Sequence, residues 1–248
     1  MKKLIIVLAH QRTGSSLLMQ TLRLLGVGVI GQFERKNLPQ QANPKGYYEE
    51  KDILCKGITD VTIEQINHNR DETLALKVAL QNFINDNRES QWYYLKEKQA
   101  TILVTIRPPL ESAVSRLVFN NKQDEVSQFR WITTFLRNYR LHYQTLSKIL
   151  VSRVPELIPG TYTIDYHQAL NNPQKYVQGI IDKLELTVSK SQVDNAFKNI
   201  DSTLYRFKQE SFNKDFIEWN QKLGADQYYD ILSTQKNPWK TINAFKDQ

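Results

Sequence analysis

The sequence predicts an α/β fold, a three-layer sandwich around a central parallel sheet, and three observations carry that prediction. Short apolar runs rich in β-branched residues, from Leu4–Ala9 through Thr101–Ile106 to Thr161–Asp165, alternate with stretches of helical periodicity. Strands separated by helices pair in parallel, and their crossover helices cover both faces of the sheet. Between the first run and the first helical stretch lies a short polar turn with one glycine, Gln11-Arg12-Thr13-Gly14-Ser15-Ser16. A buried strand, a tight turn and a helix N-terminus together form an anion site, because turn N–H groups and the positive end of the helix dipole converge there.

The elements follow in order. Leu4–Ala9 is the first strand, and Ser15–Leu25 the first helix, with Leu17, Leu18, Leu22 and Leu25 at helical spacing and Gly26 closing it. Residues 27–56 read as loop, with turns at Pro39 and Asn43-Pro44-Lys45-Gly46. A helix is expected over Asp60–Asn69, a second strand over Leu74–Val78 and a helix within Phe83–Lys96. Thr101–Ile106 is a central strand. Pro108-Pro109 permits helix initiation, since proline is tolerated in a first turn, and Leu110–Phe119 continues it.

A long helix is predicted over Ser127–Val151, with Phe129, Ile132, Phe135, Leu136, Tyr139 and Tyr143 along its buried side. Thr161–Asp165 is a further strand, and Asn172–Leu184 a helix with Pro173 in its first turn. There is no internal repeat, low-complexity stretch or Gly/Ser-rich linker, so residues 1–248 read as one domain, with 187–248 mostly helical. Ligands of such sheets bind beyond the carboxyl ends of the strands, so the loops after Ala9, Val78 and Ile106 are expected to share one rim.

Composition narrows the function classes. The chain is 40% hydrophobic and 24% charged, ordinary for a globular protein, with a formal net charge of +7. That charge is either solvated lysine on helix faces or an attraction for an anionic ligand. No basic run interleaved with aromatics forms a nucleic-acid motif, so no nucleic-acid partner is expected. Met1-Lys2-Lys3 and six apolar residues faintly imitate a signal peptide, but no small-residue cleavage site follows. No stretch approaches the roughly 18 apolar residues of a membrane span. Cys55 is the only cysteine, which excludes an intramolecular disulfide and points to a reducing, cytoplasmic setting. His10, His68, His142 and His167 show no metal-ligand spacing, so no metal is expected.

The turn is P-loop-like, yet it departs from the triphosphate loop G-x-x-x-x-G-K-[ST]. Gly14 takes the second glycine's place and Ser16 the terminal hydroxyl, but Ala9 replaces the first glycine and Ser15 the lysine. The cation has moved back to Arg12. Such a loop can hold one phosphate-like group, while ATP and GTP chemistry is disfavoured. At the end of the central strand stands Arg107, with Ser115 eight residues on, about two helical turns in. An arginine fork with a hydroxyl suits a phosphate monoester, although Arg107 could equally be a surface residue paired with Glu111.

Gln-Arg-Thr-Gly-Ser-Ser at 11–16 and Thr-Ile-Arg-Pro-Pro-Leu-Glu-Ser-Ala-Val-Ser at 105–115 resemble the phosphosulfate loop and the 3′-phosphate motif of sulfotransferases. These enzymes use 3′-phosphoadenosine 5′-phosphosulfate (PAPS). Asn43-Pro44-Lys45-Gly46-Tyr47-Tyr48-Glu49, and Thr163 to Leu170 with Pro173 following, are similar to the same family, so the resemblance spans about residues 4–186.

It implies that Arg12, Thr13, Gly14, Ser15 and Ser16 hold the 5′-phosphosulfate, and that Arg107 and Ser115 hold the 3′-phosphate. It also implies in-line transfer of a sulfuryl group to an oxygen or nitrogen of a small-molecule or carbohydrate acceptor, with Arg12 catalytic. Many members carry a base histidine in a Lys-Thr-His segment after the second strand. Here that stretch is Leu76-Lys77-Val78-Ala79, which keeps a lysine and lacks the histidine. Glu34 is the preferred substitute, since some bacterial relatives use a glutamate in that region; Glu49 and His10 are the other candidates. Lys77 could touch the transferred group, and Ser202-Thr203-Leu204-Tyr205-Arg206 could meet the adenine or the 3′-phosphate.

Two other readings stay open. One is a divergent P-loop kinase or nucleotide-binding protein, for which Asp165 at a strand end is the candidate magnesium ligand. The other is a non-catalytic binder of anions or nucleic acid.

Overall fold

The computed structural model describes residues 2–31, 53, 56–85, 89–119, 125–201 and 212–245. Five strands form one sheet: β1 (Lys3–Ala9), β2 (Gly28–Ile30), β3 (Thr73–Ala79), β4 (Thr101–Ile106) and β5 (Thr161–Asp165). Their order is β2-β3-β1-β4-β5, with every pairing parallel. β1 is central, and its last residue, Ala9, lies opposite Ala79 of β3 and Thr105 of β4. The carboxyl ends of the three middle strands therefore finish level, which puts the loops after them on one rim as expected.

Alternation along β1 divides the core into two layers, because successive side chains of a strand point to opposite faces. Ile5 and Val7 pack beneath α1 (Ser15–Leu24), with Leu18, Met19 and Leu22 against them. Leu4, Ile6 and Leu8 face the opposite layer. Helices α2 (Asp60–His68), α3 (Leu80–Asn85), α4 (Glu89–Glu97), α5 (Pro109–Phe119) and α6 (Glu125–Ser152) contribute to that second layer. Both faces of the sheet are covered, as a three-layer sandwich requires.

Beyond a 3₁₀ turn at Pro155–Gly160 come α7 (Tyr166–Asn171), α8 (Pro173–Leu184) and α9 (Lys190–Lys198) on the α1 side. The chain then crosses to the α6 side with α10 (Lys214–Lys222), α11 (Ala225–Thr234) and α12 (Pro238–Ala244), where Trp239 is fully buried.

Three expectations need correction. β2 falls within the stretch read as loop; it has only three residues, too few for periodicity to register, and is held by pairing with Leu74–Leu76. The single helix expected within Phe83–Lys96 is two, and α3 begins directly after β3. Phe129 is 36% exposed, with its ring against Trp219 of α10 at 5.4 Å, whereas Ile132, Phe135, Leu136, Tyr139 and Tyr143 are buried. The apolar stripe of α6 thus turns inward from Ile132 onward.

Candidate functional site

The turn after β1 owes its shape to two residues with positive φ. Arg12 (φ 65°) and Gly14 (φ 87°) both occupy the left-handed region, and the chain then enters α1. No side chain caps α1, so its first N–H groups are not consumed by a capping residue. A Cβ on Gly14 would stand 2.4 Å from Cδ2 of Tyr166, so the close packing of β5's following residue on the turn requires glycine. Ser15 and Ser16 open the helix at half-buried positions.

Thr13 points the other way. It is buried, its hydroxyl donates to the His10 carbonyl at 2.7 Å, and it lies 2.6 Å from the Thr105 hydroxyl. Its side chain pins the turn to β4, which leaves its backbone as the part it can offer a ligand.

Two arginines meet above β4. Arg12 Nε donates to Ser115 Oγ at 3.0 Å, and Arg107 donates from Nη1 to the Arg12 carbonyl at 3.4 Å. Ser115 is buried on α5, facing the turn as its spacing from Arg107 suggests. Arg107 is itself only 5% exposed, paired with Glu111 by Nε–Oε2 at 3.0 Å, with its Cζ 4.9 Å from the Tyr166 ring centroid. The pairing with Glu111 is therefore real, but it is a buried pair at the rim and not a surface one. Tyr139 of α6 donates to the Arg107 carbonyl at 3.1 Å, and Tyr143 to the Thr105 carbonyl at 2.9 Å, so the end of β4 is fastened from beneath.

On the other side of β1 stands Lys77. It is 2% exposed, in the middle of β3, and its Nζ donates to Ser16 Oγ at 3.3 Å. The turn lacks its own lysine, yet β3 supplies an ammonium to the same place. Gln11 Nε2 donates to Gln81 Oε1 at 3.1 Å, which ties the turn to the start of α3.

The remaining candidates separate sharply. His10 is 3% exposed inside a cage of Phe135, Tyr139, His142 and Tyr143, with ring centroids 4.8 to 6.2 Å away. Burial first, and His142 second, lower its pKa to about 3, so it is neutral and walled off from any acceptor. It packs the floor of the turn and is removed as a base. Asp165 caps α7 by accepting from His167 N at 3.0 Å and receives the Tyr229 hydroxyl at 3.1 Å, so the candidate magnesium ligand is already occupied. Burial raises its pKa, against the lowering effect of these bonds.

Burial likewise raises the pKa of Tyr166 in spite of Arg107 and Arg12, leaving a neutral phenol. Among the described residues, no group of three or more His, Cys, Asp or Glu side chains is placed to hold a metal, and no helix is long and apolar enough to cross a membrane. Glu34, Glu49, the 43–49 segment, Cys55 and residues 202–206 lie outside the described residues.

Sequence reasoning gave no role to Tyr166 and His167, although both stand in the segment 163–170 that it singled out. Their importance is visible only when β5 lies beside β4.

No protein-family model matches the sequence, and no curated protein matches it. Solved structures match its shape. The mouse sulfotransferase SULT7A1 complexed with PAP has a TM-score of 0.59 at 13% identity, over 98% of this chain and 88% of that one. A sulfotransferase from Alicyclobacillus acidocaldarius scores 0.57 at 12% identity, over 97% and 99%. Retinol dehydratase in a complex with retinol and PAP scores 0.55 at 12%, over 93% and 82%. From the parallel sheet to the turn beneath Arg12, this chain has the sulfotransferase fold.

Proposed function

We propose that this chain is a PAPS-dependent sulfotransferase, moving a sulfuryl group to a hydroxyl or amine of a small-molecule or carbohydrate acceptor. The observation that carries the reading is the joint between the two arginines. Arg12 bonds Ser115, and Arg107 bonds the Arg12 carbonyl, so two guanidiniums from separate strand ends form one electropositive rim. The shared fold with sulfotransferases solved with PAP supports the choice of donor.

The residues fit such a donor, which carries an anionic group at each end. Arg107 and Ser115 would hold the 3′-phosphate; Arg12, Thr13, Gly14, Ser15 and Ser16 would hold the 5′-phosphosulfate. The left-handed backbone at Gly14, directly before the uncapped start of α1, suits a backbone cradle for an oxyanion. Lys77, bonded to Ser16, stands on the β3 side, away from Arg107, which supports a transferred group lying on that side of the turn.

The donor supplies a sulfuryl group activated by its bond to phosphate. The acceptor oxygen attacks sulfur in line, and the electron pair of the breaking S–O bond passes to the bridging oxygen. Arg12 and Lys77 are fixed cations for that growing charge, and fixed charges stabilise it without reorganising. The N–H groups and dipole of α1 orient the phosphate, as in phosphoryl transfer, where positioning and electrostatics do most of the catalysis. Glu34 is the proposed acceptor of the proton released by the nucleophile, since His10 is enclosed.

The test is thermal unfolding with adenosine 3′,5′-bisphosphate beside ATP with magnesium. A ligand bound at a hundred times its Kd adds about 2.7 kcal/mol of stability, a readily measured rise. The bisphosphate is expected to raise the midpoint and ATP not to. No shift at millimolar bisphosphate counts against the proposal, and a response confined to magnesium-ATP favours a kinase. Sulfur-labelled PAPS in a cell extract then identifies the acceptor through the labelled product.

A further inference from the structure

We propose that Glu111 sets the charge Arg107 presents to the donor, and that His167 governs Glu111, so that nucleotide binding is coupled to protonation of His167. This rests on the sulfotransferase reading above. One oxygen carries the argument. Glu111 Oε2 accepts from Arg107 Nε at 3.0 Å and from His167 Nε2 at 2.9 Å, so a guanidinium and an imidazole share a single lone-pair centre.

The exposure of the three groups differs in an informative way. The Glu111 and Arg107 side chains are 3% and 7% exposed, and the His167 side chain is 28% exposed. The imidazole is therefore the member of the cluster through which solvent protons enter. Tyr166 lies against the face of the Arg107 guanidinium, and Tyr139 holds the Arg107 backbone carbonyl.

With His167 neutral, Glu111 bonds Arg107 without a competing cation on its His167 side, and the guanidinium is partly neutralised toward its ligand. With His167 protonated, the imidazolium takes a share of the same oxygen, and Arg107 presents more positive charge to an anion. Among the described residues, the charged or titratable groups facing His167 include Asp165, bonded to its backbone N–H, and Tyr229, whose ring lies 6.5 Å away. Tyr229 donates its hydroxyl to Asp165, so both are already engaged with each other. The sign follows. A bound 3′-phosphate favours the imidazolium, and by reciprocity the imidazolium favours the phosphate, so binding gains strength when His167 takes up a proton.

The phosphate's own protonation in acid acts in the opposite direction and serves as the baseline. The experiment titrates the wild type, His167→Gln and Glu111→Gln with adenosine 3′,5′-bisphosphate at about pH 8 and about pH 5.5. Both variants are expected to show only the ligand's acid weakening. The wild type should bind about fivefold better at the acid pH than that baseline allows, a modest factor because His167 is partly solvated. Proton NMR of the histidines supplies a readout that a merely structural role would not move: bisphosphate should shift the His167 titration to higher pH in the wild type and not in Glu111→Gln.

His167→Gln alters a part-exposed side chain and decides the matter even if Glu111→Gln folds poorly. Parallel pH trends in the wild type and His167→Gln, with binding intact, overturn this inference alone. No bisphosphate binding by the wild type at either pH overturns the donor reading and this one with it.

Discussion

Gly14→Ala places one methyl group in the tightest part of the turn. At φ 87° an L side chain is strained by about 1–2 kcal/mol. The new Cβ would also stand 2.4 Å from Tyr166 Cδ2, 3.0 Å from its Cγ and 3.2 Å from its Cβ, so the whole side chain has to move. Tyr166 lies against Arg107, which is tied to Glu111, and relieving the overlap disturbs both. Overpacking of this kind costs about 1–3 kcal/mol.

Together the two effects destabilise by about 2–5 kcal/mol. A chain of this size loses about 2–4 °C of midpoint per kcal/mol, so the melting temperature should fall by about 4–20 °C. Circular dichroism measures the melt, and calorimetric titration with adenosine 3′,5′-bisphosphate should show weakened binding in the same protein. Gly179→Ala is the control with the opposite sign. It lies inside α8 with only Lys183 Nζ near the added Cβ, at 3.6 Å, and should gain up to about 1 kcal/mol of helix propensity. A Gly14→Ala protein that melts within about 1 °C of wild type, with unchanged nucleotide affinity, would refute the reasoning.

Arg12→Ala and Arg107→Ala should each lower kcat/KM by about a hundredfold or more, the scale of losing one fixed transition-state or anchoring charge, and wild-type turnover in either contradicts its role. Lys77→Met keeps the buried volume of β3 and should preserve the melting temperature within a few degrees while cutting kcat at least about tenfold; an unchanged kcat removes Lys77 from the transferring end. His10 and His142 have pKa values lowered to about 3 and about 4 against 6.5 when unfolded, so the unfolded chain binds more protons below pH 6.5. Stability is then fully present above that pH and declines by about 1.4 kcal/mol per unit per imidazole as pH falls toward the folded values. Urea denaturation at about pH 7.5 and about pH 5 should show this loss, reduced in His142→Phe; an equal loss in that variant sinks the assignment.

Much of the site was legible because its logic is local. Arg12 and Gly14 sit in one turn, and Ser115 lies about two turns into the helix that starts just after Arg107, so spacing brings them toward one rim. The strands β1, β4 and β5 declare themselves as short β-branched runs with polar ends. Other features depend on what lies across the sheet. Lys77 reads as an ordinary lysine until β3 is laid beside β1, when it becomes a buried ammonium on Ser16. Glu111 reads as a helix-surface acid until β5 brings His167 to its other side. His10 borders the turn in sequence, which suggested chemistry, but α6 closes an aromatic cage over it.

The fastening of β4 by Tyr139 and Tyr143 has a consequence for divergence. Each phenol grips a main-chain oxygen, which every amino acid possesses, so the anchor survives whatever side chain the strand carries above it. A scaffold tied in this manner can exchange most of its residues and still hold its strand ends level. That is one physical route by which a chain can have the fold of the mouse sulfotransferase at 13% sequence identity.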